Sequence, residues 1–289
     1  VIDISGSTNE KGETVDPLSY DPARDIRFLE NEIDMWIFGI VSKGWEKFVR
    51  QVKQENMNIF KAVAKQLSGL KITEDLAKEV ILKLQFSSDI STWTEAQIKT
   101  LVTELRKRTK PMIIAANKID VAGAEKNFER VRTLFPDYLI IPCSADSELA
   151  LREASKSKLL QYVPGAATFE LKGQPNPAQL RALESIKNTV LAQHGNTGVQ
   201  KVLDTVVFDL LQYIAIFPGG VNKLEDSEGR VLPDCFLMKQ GSTALDFAFR
   251  LHTDIGNNFI RAIDVKTKRT VGKEHVLKHR DVVEIVVRK

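Results

Sequence analysis

The stretch PMIIAANKIDVAG, residues 111–123, decides how the chain is read. Its first half, Pro111–Ala116, is an unbroken apolar run, the pattern of a parallel strand buried on both faces. It stops at Asn117-Lys118-Ile119-Asp120, and a helical pattern follows over 124–134. The tetrapeptide therefore stands at the C-terminal edge of a sheet, where open α/β folds place their ligands. Its chemistry fits guanine. A carboxylate at Asp120 can accept from both the ring N1–H and the 2-amino group, whereas adenine offers an acceptor at the first position and no amino group at the second. A site built to pair polar groups rejects the base that leaves them unpaired. The Lys118 stem can lie over the base, and the Asn117 amide can tie neighbouring loops together.

An isolated N-K-x-D recurs by chance, so the next strand end matters. YLIIPCSA, residues 138–145, reads as a second buried strand, with a helix over 147–160. Strand, helix, strand, helix at short spacing is an α/β signature. At the end of this second strand stands Ser144-Ala145-Asp146, which is similar to the Ser-Ala loop of GTPases, whose backbone N–H meets the guanine O6. Two such matches at consecutive strand ends argue for one pocket, built from Asn117, Lys118, Asp120, Ser144, Ala145 and Asp146.

Upstream, VIDI at the start reads as a short strand followed by a polar loop to residue 20. Residues 21–110 read as helical. Ile26, Leu29, Ile33, Trp36, Ile37, Ile40, Val41, Trp45, Phe48 and Val52 recur at helical spacing, with Gly39 and Gly44 as candidate breaks and Trp36 and Trp45 expected in the core. Asp21-Pro22 is a helix start. Further helices fit 56–68 and 73–85, and Thr94-Glu-Ala-Gln97 opens another with a capping-box pattern.

Downstream, 177–193 and 199–213 read as helices separated by HGNTG. From Tyr213 the chain is strand-rich, with YIAIF, DCFLM, FIRAIDV and DVVEIVV and one helix over 243–252. That order resembles a small β-grasp, ubiquitin-like sheet. Ser242 or Thr243 is the expected helix cap. Ala244, Phe247, Ala248 and Leu251 form the inward face, and His252 closes the helix where its dipole favours a partly charged imidazole.

Composition narrows the class. With 43 % hydrophobic residues the chain can bury a core, and no apolar run reaches the 18 or so residues of a membrane span. No basic leader precedes VIDISGST. Two distant cysteines, Cys143 and Cys235, suit reduced thiols in a cytosolic protein. A net charge of +3 does not by itself argue for nucleic acid. From Val221 to Lys289, however, 13 Lys and Arg stand against 10 Asp and Glu. Arg261, Lys266, Lys268, Arg269, Lys273, Lys278 and Arg280 lie close together there; they are either RNA contacts or an ordinary solvated face.

Taken with VIDISGSTNEKGE, DPARDIRFLENEIDMW, SADSELALREA and LPDCFLMKQGSTALDFAFRLHTDIG, these motifs resemble the YchF subfamily of Obg-related GTPases, archaeal type, over nearly the whole chain. The last segment resembles a TGS domain, the β-grasp module shared with threonyl-tRNA synthetases and stringent-response enzymes. The resemblance implies an α/β fold: the C-terminal half of a P-loop GTPase-type parallel sheet (1–20 and 111–165), interrupted by a helical insertion (21–110). A helical connector (166–212) and a TGS domain (213–289) follow. It implies GTP or GDP as ligand with Mg²⁺, and a switch acting on the ribosome, ribosomal RNA or a translation factor in the cytoplasm, without a membrane. Many bacterial and eukaryotic members depart from N-K-x-D and prefer ATP; Asp120 is kept here.

The phosphate-binding pattern G-x-x-x-x-G-K-[ST] does not occur; the sole Gly-Lys, Gly272-Lys273, precedes Glu274. Asp3-Ile-Ser-Gly6 matches the D-x-x-G switch, but the resemblance aligns it with the strand after that switch. Phosphate loop, switches and Mg²⁺ ligands are accordingly expected in chain ahead of Val1, and no catalytic residue is assigned. The alternative is a non-catalytic RNA- or ribosome-binding module that holds nucleotide weakly or not at all.

Overall fold

The computed structural model describes residues 1–225, 228–232 and 234–288. Pro233 of the TGS-like stretch and Lys289, the end of the expected domain, lie outside the described residues. Contacts divide the chain into two units, Val1–Val202 and Leu203–Lys289.

In the first unit three strands run parallel in the order β1 (Ile2–Asp3), β2 (Ile113–Asn117), β3 (Leu139–Pro142). Ala116 pairs with Ile2 on one side and Pro142 on the other. Parallel neighbours need crossover connections. Between β2 and β3 the crossover is α6 (Ala124–Leu134), whose Phe128 and Val131 pack with Ile4, Ile114 and Ile119.

Between β1 and β2 the connection is a helical body: α1 (Ala23–Ser42), α2 (Trp45–Gln54), α3 (Ile59–Gln66), α4 (Glu74–Lys83) and α5 (Glu95–Thr109). It has its own core, from Ile37 and Val41 through Val80 and Ile90 to Leu101 and Leu105. Thr94 and Gln97 close the capping box at the start of α5. Gly39 stays helical, and the break falls at Gly44, whose φ of 85° lies in the left-handed region that favours glycine.

Trp36 corrects the expectation of a core residue: it is 59 % exposed. Ile37, one position and about 100° further round the helix, takes the inward place with Ile26 and Val41. Phe28, Leu29, Met35 and Ile40 are exposed with Trp36. Trp45 does pack against the core, its ring 6.1 Å from Trp93.

The helical body is fixed to the sheet region through Arg106, which is 2 % exposed. Its Nε donates to Asp34 at 2.8 Å, and its two terminal nitrogens donate to Tyr138 Oη at 3.1 Å and Glu30 at 3.3 Å. Thr103 adds a bond to Asp34 at 2.8 Å. One guanidinium therefore holds α5, α1 and the residue that leads into β3.

After β3, α7 (Ala145–Lys156) begins two residues before the expected 147 and ends earlier, because Leu160 enters a hairpin, β4 (Leu160–Gln161) with β5 (Glu170–Leu171). Helix α8 (Pro177–Ile186) widens into π-type turns over Lys187–Leu191 before α9 (Ala192–His194). Helix α10 (Val199–Asp204) widens likewise over Thr205–Leu210.

The second unit is a five-stranded sheet in the order β7 (Phe236–Lys239), β6 (Tyr213–Pro218), β10 (Asp281–Val287), β8 (Phe259–Asp264), β9 (Arg269–Val271). Only β6 and β10 pair in parallel. Helix α11 (Ala244–Leu251) lays Ala244 and Phe247 on Ile216, Ala262 and Val283. Thr243 is its cap, in a box with Asp246. His252 ends α11 in an extended conformation and caps the short α12 (Thr253–Asn257), its Nδ1 accepting from Asp254 N–H at 3.2 Å. Among the described residues no helix is long and apolar enough to cross a membrane.

Replacing Arg106 by alanine would leave two carboxylates facing a buried gap. Removing one partner of a buried ion pair costs about 3–5 kcal/mol. We expect a loss of about 3 kcal/mol in urea unfolding of Arg106→Ala, against less than half that for Lys99→Ala, whose pair with Glu95 is exposed.

Candidate functional site

The parallel sheet brings three loops to one edge: residues 5–8 after β1, 117–120 after β2 and 143–146 after β3. Asn117 ends β2, and its Oδ1 accepts the Ala145 N–H at 2.9 Å, tying the second loop to the third. Ile119 N–H donates to Cys143 O at 3.0 Å in support of the same tie.

Lys118 adopts φ 65°, left-handed and unfavourable for a side chain with a Cβ. Three bonds hold it there. Its Nζ reaches Asp3 at 2.9 Å, Ser7 Oγ at 3.1 Å and Thr8 Oγ1 at 3.1 Å. The ammonium is thus spoken for, and the methylene stem spans from the second loop to the first. Burial alone would raise the Asp3 carboxyl, but hydrogen bonds from Ser5, Lys118, Thr8 and Ser7 hold it down at about 2. Asp3, read as one candidate for a D-x-x-G switch, is occupied as the counter-ion of Lys118.

Asp120 is exposed and makes no hydrogen bond or ion pair with any described residue. It lines a cavity of about 230 Å³ with Gly123, Thr189, Gln193 and His194. Ala145 and Asp146 are exposed at the N-terminus of α7, where amides point outward and partial positive charge collects. Ser144 has a different place from its neighbours. It is fully buried, its N–H donates to Thr197 O at 2.8 Å, and its Oγ caps α7 through Ser147. Its polar groups are consumed inside the protein, so of the six residues singled out in sequence, five line the loop edge and Ser144 sits beneath it.

Sequence reading missed what lies under that edge. Glu148, on the first turns of α7, is a carboxylate only 5 % exposed. Its Oε2 accepts from Thr197 Oγ1 at 2.6 Å and Tyr162 Oη at 2.7 Å; its Oε1 accepts from Arg152 Nε at 2.6 Å. Burial would raise this carboxyl, but the bonds from Thr197, Arg152 and Tyr162 bring it below its ordinary value. The one sequence signal was HGNTG, residues 194–198, whose glycine has structural meaning. Gly198 sits at φ 82°, and a Cβ there would lie 1.9 Å from Pro142 O.

Both cysteines are free; burial pushes the Cys143 thiol up to about 11. The seven cations singled out in the C-terminal unit are all exposed, and none of them forms a salt bridge with a described residue. The strand register divides them. Lys266, Lys268 and Arg269 follow Asp264, which pairs with Val283, and Lys278 and Arg280 precede β10, so these five share one end of the sheet. Arg261 pairs with Val286, and Lys273 lies past the far end of β9, so these two fall towards the opposite end.

These loops lie at the C-terminal edge of a parallel sheet of the kind found in GTP-binding proteins, and comparison with known proteins shows the family. The family model described as "Obg-like GTPase YGR210-like, G4 motif-containing domain" matches residues 115–220, and that of the TGS domain matches 228–287. The GTP-binding protein MJ1332 of Methanocaldococcus jannaschii is 45 % identical over 99 % of this chain and 72 % of its own length. GTP-binding protein C428.15 of Schizosaccharomyces pombe is 30 % identical over 84 % of this chain and 61 % of its own. The crystal structure of a GTP-binding protein from Pyrococcus horikoshii shares 40 % identity with a TM-score of 0.72, covering 99 % of this chain and 77 % of that one. The S. pombe YchF GTPase, at 16 % identity and a TM-score of 0.53, shares the fold over 97 % of this chain and 70 % of its own. The chain belongs to the family of GTP-binding proteins that includes MJ1332, with an Obg-like G4-motif domain and a TGS domain.

Because Asp3 titrates below its ordinary 3.8 when folded, it stabilises the protein above that value and loses this contribution as pH falls towards about 2. Urea unfolding of the wild type should therefore weaken more steeply than that of Asp3→Asn between those limits. Equal slopes would mean that the Lys118 clamp contributes nothing to folding.

Proposed function

We propose that this chain is the base-reading part of a guanine-nucleotide switch, with GTP and GDP selected at residues 117–120 and 145–146. One observation carries the reading: the unpartnered, exposed Asp120 carboxylate beside a loop whose other charges and dipoles are already tied down. Asp120 accepts the N1–H and the 2-amino group. Ala145 N–H is already donated to Asn117, so the Asp146 amide at the start of α7 is the one that meets the 6-oxo group, and the Lys118 stem covers one face of the base. Asn117 sets the spacing between the two loops.

For the whole protein we propose GTP hydrolysis coupled to a conformational switch that acts in the cytosol on the ribosome, ribosomal RNA or a translation factor. Bound Mg²⁺ would screen the phosphate charge in that reaction. Among the described residues no cluster of three or more His, Cys, Asp or Glu is placed to hold a metal, so no residue here is assigned to it. A second reading, a nucleic-acid-binding module, draws on the five exposed cations at one end of the C-terminal sheet, Lys266, Lys268, Arg269, Lys278 and Arg280.

Titration of the chain with guanosine, adenosine and xanthosine tests the first reading. Guanosine should bind best. Asp120→Asn should weaken it by about 2–4 kcal/mol, since bonds to a charged acceptor are lost, and should gain on xanthosine, whose 2-oxo group suits an amide donor. Equal binding of guanosine and adenosine by the wild type would remove the basis of the assignment.

For the second reading, co-sedimentation of the chain with ribosomes should fall steeply as salt rises, through counterion release. Substituting Lys266, Lys268, Arg269 and Arg280 by Glu should abolish it. Binding that ignores both changes would return these residues to a solvated face.

A further inference from the structure

Residues 143–146 rest on a buried polar assembly that no motif announces. Glu148 is three positions past Ala145, and its Oε2 accepts from two distant segments, Tyr162 after β4 and Thr197 in the HGNTG loop. A carboxylate is costly to bury unless its lone pairs are filled; here both oxygens are satisfied, with Arg152 on the second. Thr197 acts twice. Its hydroxyl holds Glu148, and its carbonyl accepts Ser144 N–H at 2.8 Å. The residue before Ala145 and the first turn after it are thus fixed by one threonine. Asn196 Oδ1 accepts Gly198 N–H at 2.8 Å and shapes the loop, while Gly198 lets it close on the end of β3.

An apolar pair of the same volume would fill this space at less cost in desolvation. What the polar assembly adds is direction. It fixes the angle at which α7 leaves β3, and hence where its first amides point. Asp120 lies on a different loop, whose tie to the third loop runs through Asn117 and Ala145. Ala145 N–H and Cys143 O serve that tie, whereas Thr197 and Glu148 hold Ser144 and the first turn that carries the Asp146 amide, so the two edges of a bound base have different supports.

Resting on the base-pocket reading above, we propose that Thr197 and Glu148 are positioning residues for recognition of the 6-oxo group, setting the Asp146 amide through Ser144 and the first turn of α7. The 2-amino edge, read by Asp120, does not depend on them.

Three nucleosides separate the edges: guanosine, inosine without the 2-amino group, and 6-thioguanosine, which keeps N1–H and the 2-amino group but replaces the 6-oxo acceptor by a weaker thione sulfur. The wild-type chain, titrated by calorimetry, should prefer guanosine to both. Thr197→Val removes the hydroxyl and keeps the shape. It should cut the preference for guanosine over 6-thioguanosine by up to about tenfold, the worth of one well-aligned hydrogen bond, and leave the preference over inosine unchanged. Thr197→Ser should restore the lost preference. Glu148→Gln, which retains the volume, should behave as Thr197→Val and serves if that variant does not fold. Wild-type discrimination in both variants, or an equal loss at both edges, overturns the proposal while the base pocket stands. A wild-type chain that binds none of the three nucleosides overturns the pocket and the proposal together.

Discussion

The constraint on which the rest depends is the parallel pairing of β2 with β1 on one side and β3 on the other. Parallel strands present all their C-terminal ends at one edge. That is how Asp3 and Lys118, 115 positions apart, come to share an ion pair. It also forces each connection to leave the sheet and return. The return from β1 to β2 is where a helical body with its own core is accommodated, since the sheet requires only that the chain come back in register. Arg106 gives that body a fixed seat: its guanidinium is satisfied only when α1, α5 and Tyr138 are all in place.

What could be read from sequence was local. The strand over 111–116, the loop that follows it and helix 124–134 are set by short-range pattern, and the structure places β2 over 113–117 and α6 over 124–134. The capping boxes at Thr94 and Thr243 are equally local, each a side chain bonding its own helix start. What could not be read was decided by distant partners. Glu148 sits in SELALREA, which reads as an ordinary solvated helix face; its burial depends on Tyr162 and Thr197, 14 and 49 positions away. Trp36 shows the converse. Apolar residues surround α1 on several sides, and spacing alone did not tell which side α5 would cover.

Ser144 shows how a motif can mislead about one of its members. The Ser-Ala pair stands at the strand end as expected, yet only the alanine reaches the open edge. The serine closes the helix below it and binds Thr197, work that a hydroxyl and an N–H at this position can do only if both turn inward. The HGNTG loop supplies the partner, and the glycine at 198 supplies the room.

The treatment of carboxylates at this edge argues for a division of labour. Asp3 and Glu148 are enclosed, each with several donors, and both lie below their ordinary pKa because those donors outweigh burial. Such groups stay ionised and immobile, and they hold other residues still. Asp146 and Asp120 are the opposite case: exposed and without side-chain partners among the described residues. Asp146 lies in the first turn of α7, where the helix dipole already compensates a negative charge. Asp120 lies on a loop, four residues before α6 begins at Ala124, and has no such compensation. A carboxylate left solvated there costs the fold little and keeps all its acceptor capacity. Its neighbours Asn117 and Lys118 are both pinned. Pinned neighbours around one uncommitted acceptor form an arrangement that spends little on reorganisation when a donor-bearing base arrives.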